Sequence, residues 1–323
     1  MTSRDEVLAE ADALGFCGPT VRRDRGQAQG RPVGHWHARF LHRCRYVAAL
    51  EKAGLVGIAI EKLPRKLSSA QSMDEMTSQN SVMGYKAAIT AADAYGSFLP
   101  MMTTAAGTIR PAKALVLGAG IAGLQAIGTL KRLGAVVTAY DVRPASQGEV
   151  ESLGAKFLDL GLDFSKGQGE GGYARALSAE EQAQQQAAVD EKAAGFDIII
   201  TTAKVPGRKP PVLLTAAGVK GLKRGAVIVD CAASDLGGNV EGSAVGEQVT
   251  EGGVKLIGAP YLASGVATTA SNLLSRNVAD ILVHFVRDGK LGQDLTEELD
   301  DALVVAGRAA APAAAADAEK SEK

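Results

Sequence analysis

The feature that most constrains this chain is a glycine triplet placed directly behind an apolar run. Ala114 to Leu117 reads as a buried strand and feeds into Gly118, Gly120 and Gly123 in the spacing G-x-G-x-x-G. Each glycine has its own task. Gly118 makes the tight turn, Gly120 admits a pyrophosphate close to the backbone, and Gly123 lets the next helix pack against the strand. That helix, read over Ile121 to Leu133, directs its unpaired N–H groups and positive dipole end at the phosphates. A second apolar strand, Val136 to Tyr140, ends at Asp141, whose carboxylate suits the ribose hydroxyls of NAD and repels the extra phosphate of NADP. Strand, triplet, helix, strand and acid stand in the order a dinucleotide site requires.

The 323 residues allow about two domains with a sizeable core. A net charge of −1 gives no strong pull towards nucleic acid or membrane. Cys17, Cys44 and Cys231 are too few and too scattered for a disulfide framework, which fits a reducing cytoplasm. The acidic opening has no apolar stretch of signal-peptide length, and no run approaches a membrane span. Any membrane component is therefore expected on a partner.

Along the chain, residues 1–45 are an atypical N-terminus expected to be poorly ordered. Asp5 to Leu14 suits a short helix, and His35, His37 and His42 beside Cys44 match no known ligand spacing, so no metal is expected. Val47 to Ala53 is helical in composition, Gly54 stops it, and Leu55 to Ile60 reads as a strand. A helix-rich stretch covers Ala70 to Phe98, and Pro100 to Pro111 is a connection. Beyond Asp141, helices over Ser146 to Leu153, Thr215 to Leu222 and Ala270 to Val286 alternate with strands at Lys156 to Leu158, Phe196 to Thr201, Ala226 to Asp230 and Val254 to Ile257. Such alternation predicts a Rossmann-type, doubly wound parallel α/β sheet, with ligands outside the carboxyl ends of the strands. Gly161 to Gly172 is a glycine-rich excursion, and residues 309–323 form a low-complexity tail expected to be disordered.

Beyond these patterns, the block SAQSMDEMTSQNSVMGYK at Ser69 to Lys86, the segment from TTAAGTIRP to TAYDVRP, and the later GGYARALS, DIIITTAKVPGRKPP and GAVIVDCAA resemble a known family. It is the NAD(H)-binding alpha subunit, domain I, of proton-translocating NAD(P) transhydrogenase; alanine dehydrogenases share the dinucleotide fold. The resemblance implies direct hydride transfer between NADH held here and NADP held by a separate component, coupled to proton movement through a membrane component. It implies a homodimer, peripheral to the inner face of the cell membrane. It places nicotinamide-site roles on Arg65, Gln71, Asp74 and Thr77. Cofactor contacts fall on Gly118, Gly120, Ile121, Ala122, Gly123, Asp141, Val142, Arg143, Gly172, Tyr173, Thr202, Ala203 and Asn239. GGYARAL matches a loop that closes over bound nucleotide.

Three departures stand out: Ser69 where the family usually has Arg, an Arg65–Gln71 spacing one residue longer, and Lys204 in place of leucine. Only 54 residues precede Leu55, and none resembles the family's first domain, so the N-terminus reads as truncated. The expected layout is a remnant of the first domain at 46–105, a dinucleotide domain at 106–270, and a helical return at 271–308. A second α/β domain is thus incomplete. The alternatives are an NAD-binding remnant or regulatory module without catalysis, and an alanine dehydrogenase-like oxidoreductase.

Overall fold

A computed structural model describes residues 44–52, 54–162, 178–204, 209–250, 252–287 and 290–308. The expected Asp5–Leu14 helix, the three histidines, most of the glycine-rich excursion, Gly172, Tyr173 and the tail lie outside the described residues. Contacts divide the chain into two compact units, residues 65–275 forming one, and residues before 65 with those after 275 the other.

In the smaller unit, helix α1 (Cys44–Lys52) ends before Gly54, whose φ of +67° a side chain would resist. The strand expected over Leu55 to Ile60 is only two residues long, β1 (Gly57–Ile58). Leu55 and Val56 are more than half exposed, so the apolar run has little to bury it, and the chain turns into a 3₁₀ helix at Ile60–Lys62. Further along the same unit lie β11 (Val286–Arg287), β12 (Lys290–Leu291), α8 (Glu298–Leu303) and β13 (Val304–Ala306). β13 pairs antiparallel with β1, placing Gly57 opposite Ala306. Leu299, Leu303, Val304 and Ala306 supply its buried apolar residues, beside Ala59 and Leu63.

The larger unit opens with a 3₁₀ helix at Ser68–Met73 and then α2 (Glu75–Ala94), capped by Asp74. The segment read as a plain connection contains a hairpin, β2 (Met102–Thr104) and β3 (Gly107–Ile109). Every residue of both strands is exposed, so no apolar alternation betrays them. β4 (Lys113–Leu117), α3 (Ile121–Arg132), β5 (Val136–Tyr140), α4 (Ser146–Ser152) and β6 (Lys156–Phe157) agree with the sequence pattern within one or two residues. α5 (Ala179–Ala193) has no counterpart in that pattern. It is rich in Glu and Gln, buries little, and is started by a capping box in which Ser178 and Glu181 satisfy each other's backbone N–H. β7 (Ile198–Thr201), α6 (Ala216–Lys220), β8 (Val227–Asp230), β9 (Gly246–Val249), β10 (Lys255–Gly258) and α7 (Ala267–His284) complete the elements. α7 starts earlier than the pattern predicts and stops at His284, because Val286 enters β11.

Seven strands form one sheet in the order β6-β5-β4-β7-β8-β10-β9. Six run parallel, and β9 lies antiparallel to β10 at the edge with all four residues exposed. The expected sheet is thus correct in kind but carries one antiparallel edge. Leu115, Leu117, Ile199 and Ile228 pack on one face, while Ala114, Val116, Ile198, Ile200, Val227 and Val229 pack on the other. Continuous apolar strands result because both faces are covered. The strand order reverses between β4 and β7, the position where a doubly wound sheet leaves a crevice.

Candidate functional site

At that crevice the three glycines meet different physical demands. Gly118 has φ +101°, its N–H donates to the Tyr140 carbonyl at 2.8 Å, and a Cβ there would lie 2.8 Å from Thr202 Oγ1. A Cβ on Gly123 would run into the Gly118 carbonyl, so helix and strand approach as closely as backbone allows. Gly120 is different: a Cβ would meet nothing within 4 Å. It is the N-cap of α3, and no side chain caps that helix. An open hollow in front of uncapped N–H groups fits a dinucleotide pyrophosphate. Ile121 and Ala122 form the first turn. Ala122 is buried where α2 crosses, with its carbonyl against Gly84, another glycine whose Cβ has no room.

Asp141 ties this loop to the next strand. Its Oδ2 accepts from Ala119 N at 2.8 Å and from Arg143 Nη2 at 3.1 Å; its Oδ1 accepts from Arg143 N and Nε, both at 2.9 Å. Four donors occupy the roughly four lone-pair sites of a carboxylate. The Arg143 guanidinium is stabilised first by that hydrogen bond, which raises its pKa against the opposing effect of burial. Val142 packs against the Leu115–Leu117 face. Across the crevice, Thr202 Oγ1 donates to the Gly118 carbonyl at 2.9 Å. Asn239 is fully buried, accepting from Ala203 N at 2.9 Å and donating to the Ala203 and Pro211 carbonyls at 2.8 Å each. Its amide therefore holds the backbone that edges the crevice.

A second assembly sits at the start of α2. Arg65 Nε donates to Asp74 Oδ2 at 2.7 Å and its Nη2 to Thr77 Oγ1 at 3.2 Å, while Thr77 donates to Asp74 through N at 2.9 Å and Oγ1 at 2.6 Å. Burial raises the Asp74 pKa, but the bonds from Thr77 and Arg65 outweigh it, and the net shift is downward. Three of the four residues assigned to the nicotinamide are thus joined. Gln71 is exposed, and its side-chain amide has no hydrogen bond among the described residues.

Asp230 is a residue that the motif reading does not single out. It is fully buried at the end of β8, accepting from Thr201 Oγ1 and Ala232 N at 2.9 Å each and from Val240 N at 3.3 Å. It fixes the ends of β7 and β8 together; the readable signal is an acid closing a wholly apolar strand. Cys231 beside it is buried and its thiol is pushed up to about 12, chiefly by desolvation. It is a packing residue, with no thiolate at neutral pH. No helix among the described residues is long and apolar enough to cross a membrane.

Residues 87–310 match the family described as alanine dehydrogenase/PNT, C-terminal domain. The chain is 45% identical over 296 residues to the first of the polypeptides that make up NAD(P) transhydrogenase subunit alpha in Rickettsia prowazekii, covering 90% of this chain and 76% of that one. It is 44% identical over 260 residues to the protein of the same name from Rhodospirillum rubrum, covering 80% of this chain and 66% of the other, just under two thirds of its length. A crystal structure of transhydrogenase from Sinorhizobium meliloti superposes with a TM-score of 0.67 at 43% identity, covering 81% of this chain and 70% of that one. An L-alanine dehydrogenase superposes less well, at 0.58 and 25% identity, over 82% and 67% of the two chains. The chain belongs to the alanine dehydrogenase/PNT family of oxidoreductases, on its NAD(P) transhydrogenase alpha-subunit branch.

Proposed function

We propose that this chain is the NAD(H)-binding component of a proton-translocating transhydrogenase. The observation that carries the reading is the crevice itself, with an open Gly120, an uncapped α3 and Asp141 at the end of β5. The transhydrogenase relatives match at higher identity and over more of the chain than the alanine dehydrogenases, which reach 33% over 135 residues.

The nicotinamide supplies the chemistry: NADH gives up hydride from its ring to the ring of NADP⁺, leaving NAD⁺ and NADPH. No third substrate and no general acid or base is required, so the protein acts by positioning and by excluding water. Gly118 to Gly123 seat the pyrophosphate. Asp141 takes the adenosine ribose once Arg143 releases lone pairs to it, and Arg143 then faces the adjoining phosphate. Thr202, Ala203 and Asn239 set the crevice edge, and Gly172 and Tyr173 cover the bound nucleotide. Gln71 bonds the carboxamide, fixing which ring face is presented. Arg65, Asp74 and Thr77 orient that contact and face the neighbouring component.

NADP is bound by a partner component, and proton movement belongs to a membrane-embedded one. The chain acts as a homodimer held at the cytoplasmic face of the cell membrane through those partners. Its two domains are the dinucleotide domain at 106–270 and an incomplete one built from 46–105 and 271–308. The test is cyclic transhydrogenation: this chain is mixed with a separately made NADP-binding component, and reduction of an NAD analogue by NADH through bound NADP is followed. Turnover is expected, with no alanine-dependent NAD reduction. NADH binding without turnover would leave a dinucleotide-binding module and overturn the enzymatic reading.

A further inference from the structure

In a doubly wound sheet, one nucleotide lies over the strands before the switch point and the other over the strands beyond it. Gly118 and Asp141 claim the β4–β5 side for adenosine. The ring therefore lies over the ends of β7 and β8. Lys204 stands three residues beyond β7, and its Nζ lies 4.0 Å from Met83 Sδ on α2. Cys231 and Asp230, both at the end of β8, are within its electrostatic reach. The ammonium is thus turned in over the strand ends.

Its neighbours leave that charge uncompensated at short range. The nearby carboxylate, Asp230, gives Oδ1 to Thr201 and Ala232 and Oδ2 to Val240. Among the described residues no carboxylate lies within ion-pair distance of Lys204. Desolvation lowers its pKa, opposed by the fields of Cys231 and Asp230. A cation held there treats two forms of one ligand differently. Oxidised nicotinamide carries a positive ring; reduced nicotinamide is neutral, and everything else about the cofactor is shared.

Resting on the reading that this crevice holds NAD(H), we propose that Lys204 is a specificity-determining residue that sets the preference for the reduced over the oxidised cofactor. Like charges a few ångströms apart in partly solvated protein repel enough to change an affinity about tenfold. By linkage, a site that prefers NADH makes the bound couple a weaker hydride donor than a site without the charge.

The test compares dissociation constants for NAD⁺, NADH and ADP-ribose, which lacks the ring, in the wild-type chain, Lys204→Met and Lys204→Arg. Loss of the charge should tighten NAD⁺ about tenfold and leave NADH and ADP-ribose within about twofold. Lys204→Arg should keep the wild-type ratio. Lys204→Gln gives the same comparison if the methionine variant does not fold. Equal changes for NAD⁺ and NADH, or an unchanged ratio, would overturn the role of Lys204 while leaving the cofactor assignment standing. A folded wild-type chain that binds none of the three would overturn the assignment itself.

Discussion

Two polar assemblies of the larger unit hold the backbone by opposite means. Around Gly118 the geometry is set by missing atoms: helix α3 approaches β4 because Gly123 has no Cβ, and the turn closes because Gly118 adopts a positive φ. Around Asp74 the geometry is set by atoms present, a carboxylate that gathers Arg65 and Thr77 and caps α2. The first assembly has no slack, since an added methyl meets backbone that cannot rotate away. The second is made of side chains and responds to charge and hydrogen-bonding capacity. Nucleotide seating should therefore fail through steric change at the first, and through electrostatic change at the second.

The sharpest way to break the comparison is Gly123→Ala. The new methyl collides with the Gly118 carbonyl, and α3 must move off β4. Overpacking of this kind costs about 3 kcal/mol, and NADH binding should be lost with it. Gly128→Ala, on the same helix, is the control. Its Cβ meets only the Arg132 side chain at 3.5 Å, and replacing a helical glycine by alanine stabilises by about 1 kcal/mol. Thermal unfolding and an NADH titration of both variants decide the matter. Two destabilised variants of equal size would show that helix propensity, and not the close approach, governs the loop.

Next in size is Asp74→Ala, which removes the α2 cap and the acceptor shared by Arg65 and Thr77. A lost N-cap costs about 1 kcal/mol, and a donor left without its partner costs about as much again. Asp74→Asn keeps an acceptor and removes the charge, so it should fall between wild type and alanine. The pH dependence has a definite sign. A carboxylate whose folded pKa lies below its usual 3.8 contributes stability that is full above 3.8 and is lost as pH falls through the lower folded value. Acid unfolding followed from pH 6 downward should therefore be steeper for wild type than for Asp74→Asn below that point. Parallel curves would mean that the charge of Asp74 contributes nothing.

The contrast also explains what the sequence discloses. The glycine loop is legible because its constraint is local: three glycines and an acid at fixed offsets behind apolar strands cannot serve many folds. Both faces of the sheet are covered, so β4, β5, β7 and β8 read as plain apolar runs. The β2–β3 hairpin, the β9 edge and α5 escape such a reading because they bury little, and apolar period is the signal a sequence offers. β1 is overread for the converse reason: Leu55 and Val56 are apolar but exposed. In the site, the saturation of Asp141 by Arg143 and the clasp of Asp230 on Thr201 depend on which donors tertiary folding brings near. Neither leaves a trace in spacing.

The smallest predicted effect joins the two modes at one residue. Thr202 donates its hydroxyl to the Gly118 carbonyl at 2.9 Å, a side-chain bond supporting a turn otherwise fixed by backbone. Thr202→Val conserves volume and removes the donor, which should cost about 1 kcal/mol. Thr202→Ser keeps the donor and sheds a methyl, and should remain within about 0.5 kcal/mol of wild type. NADH affinity should change little in either, because Gly118 keeps its own N–H bond to the Tyr140 carbonyl at 2.8 Å and its positive φ. If Thr202→Val instead abolished binding while unfolding normally, the hydroxyl would have to contact the nucleotide. The loop would then depend on a side chain at its centre, and the division between a loop set by absent atoms and a cap set by present ones would fail there.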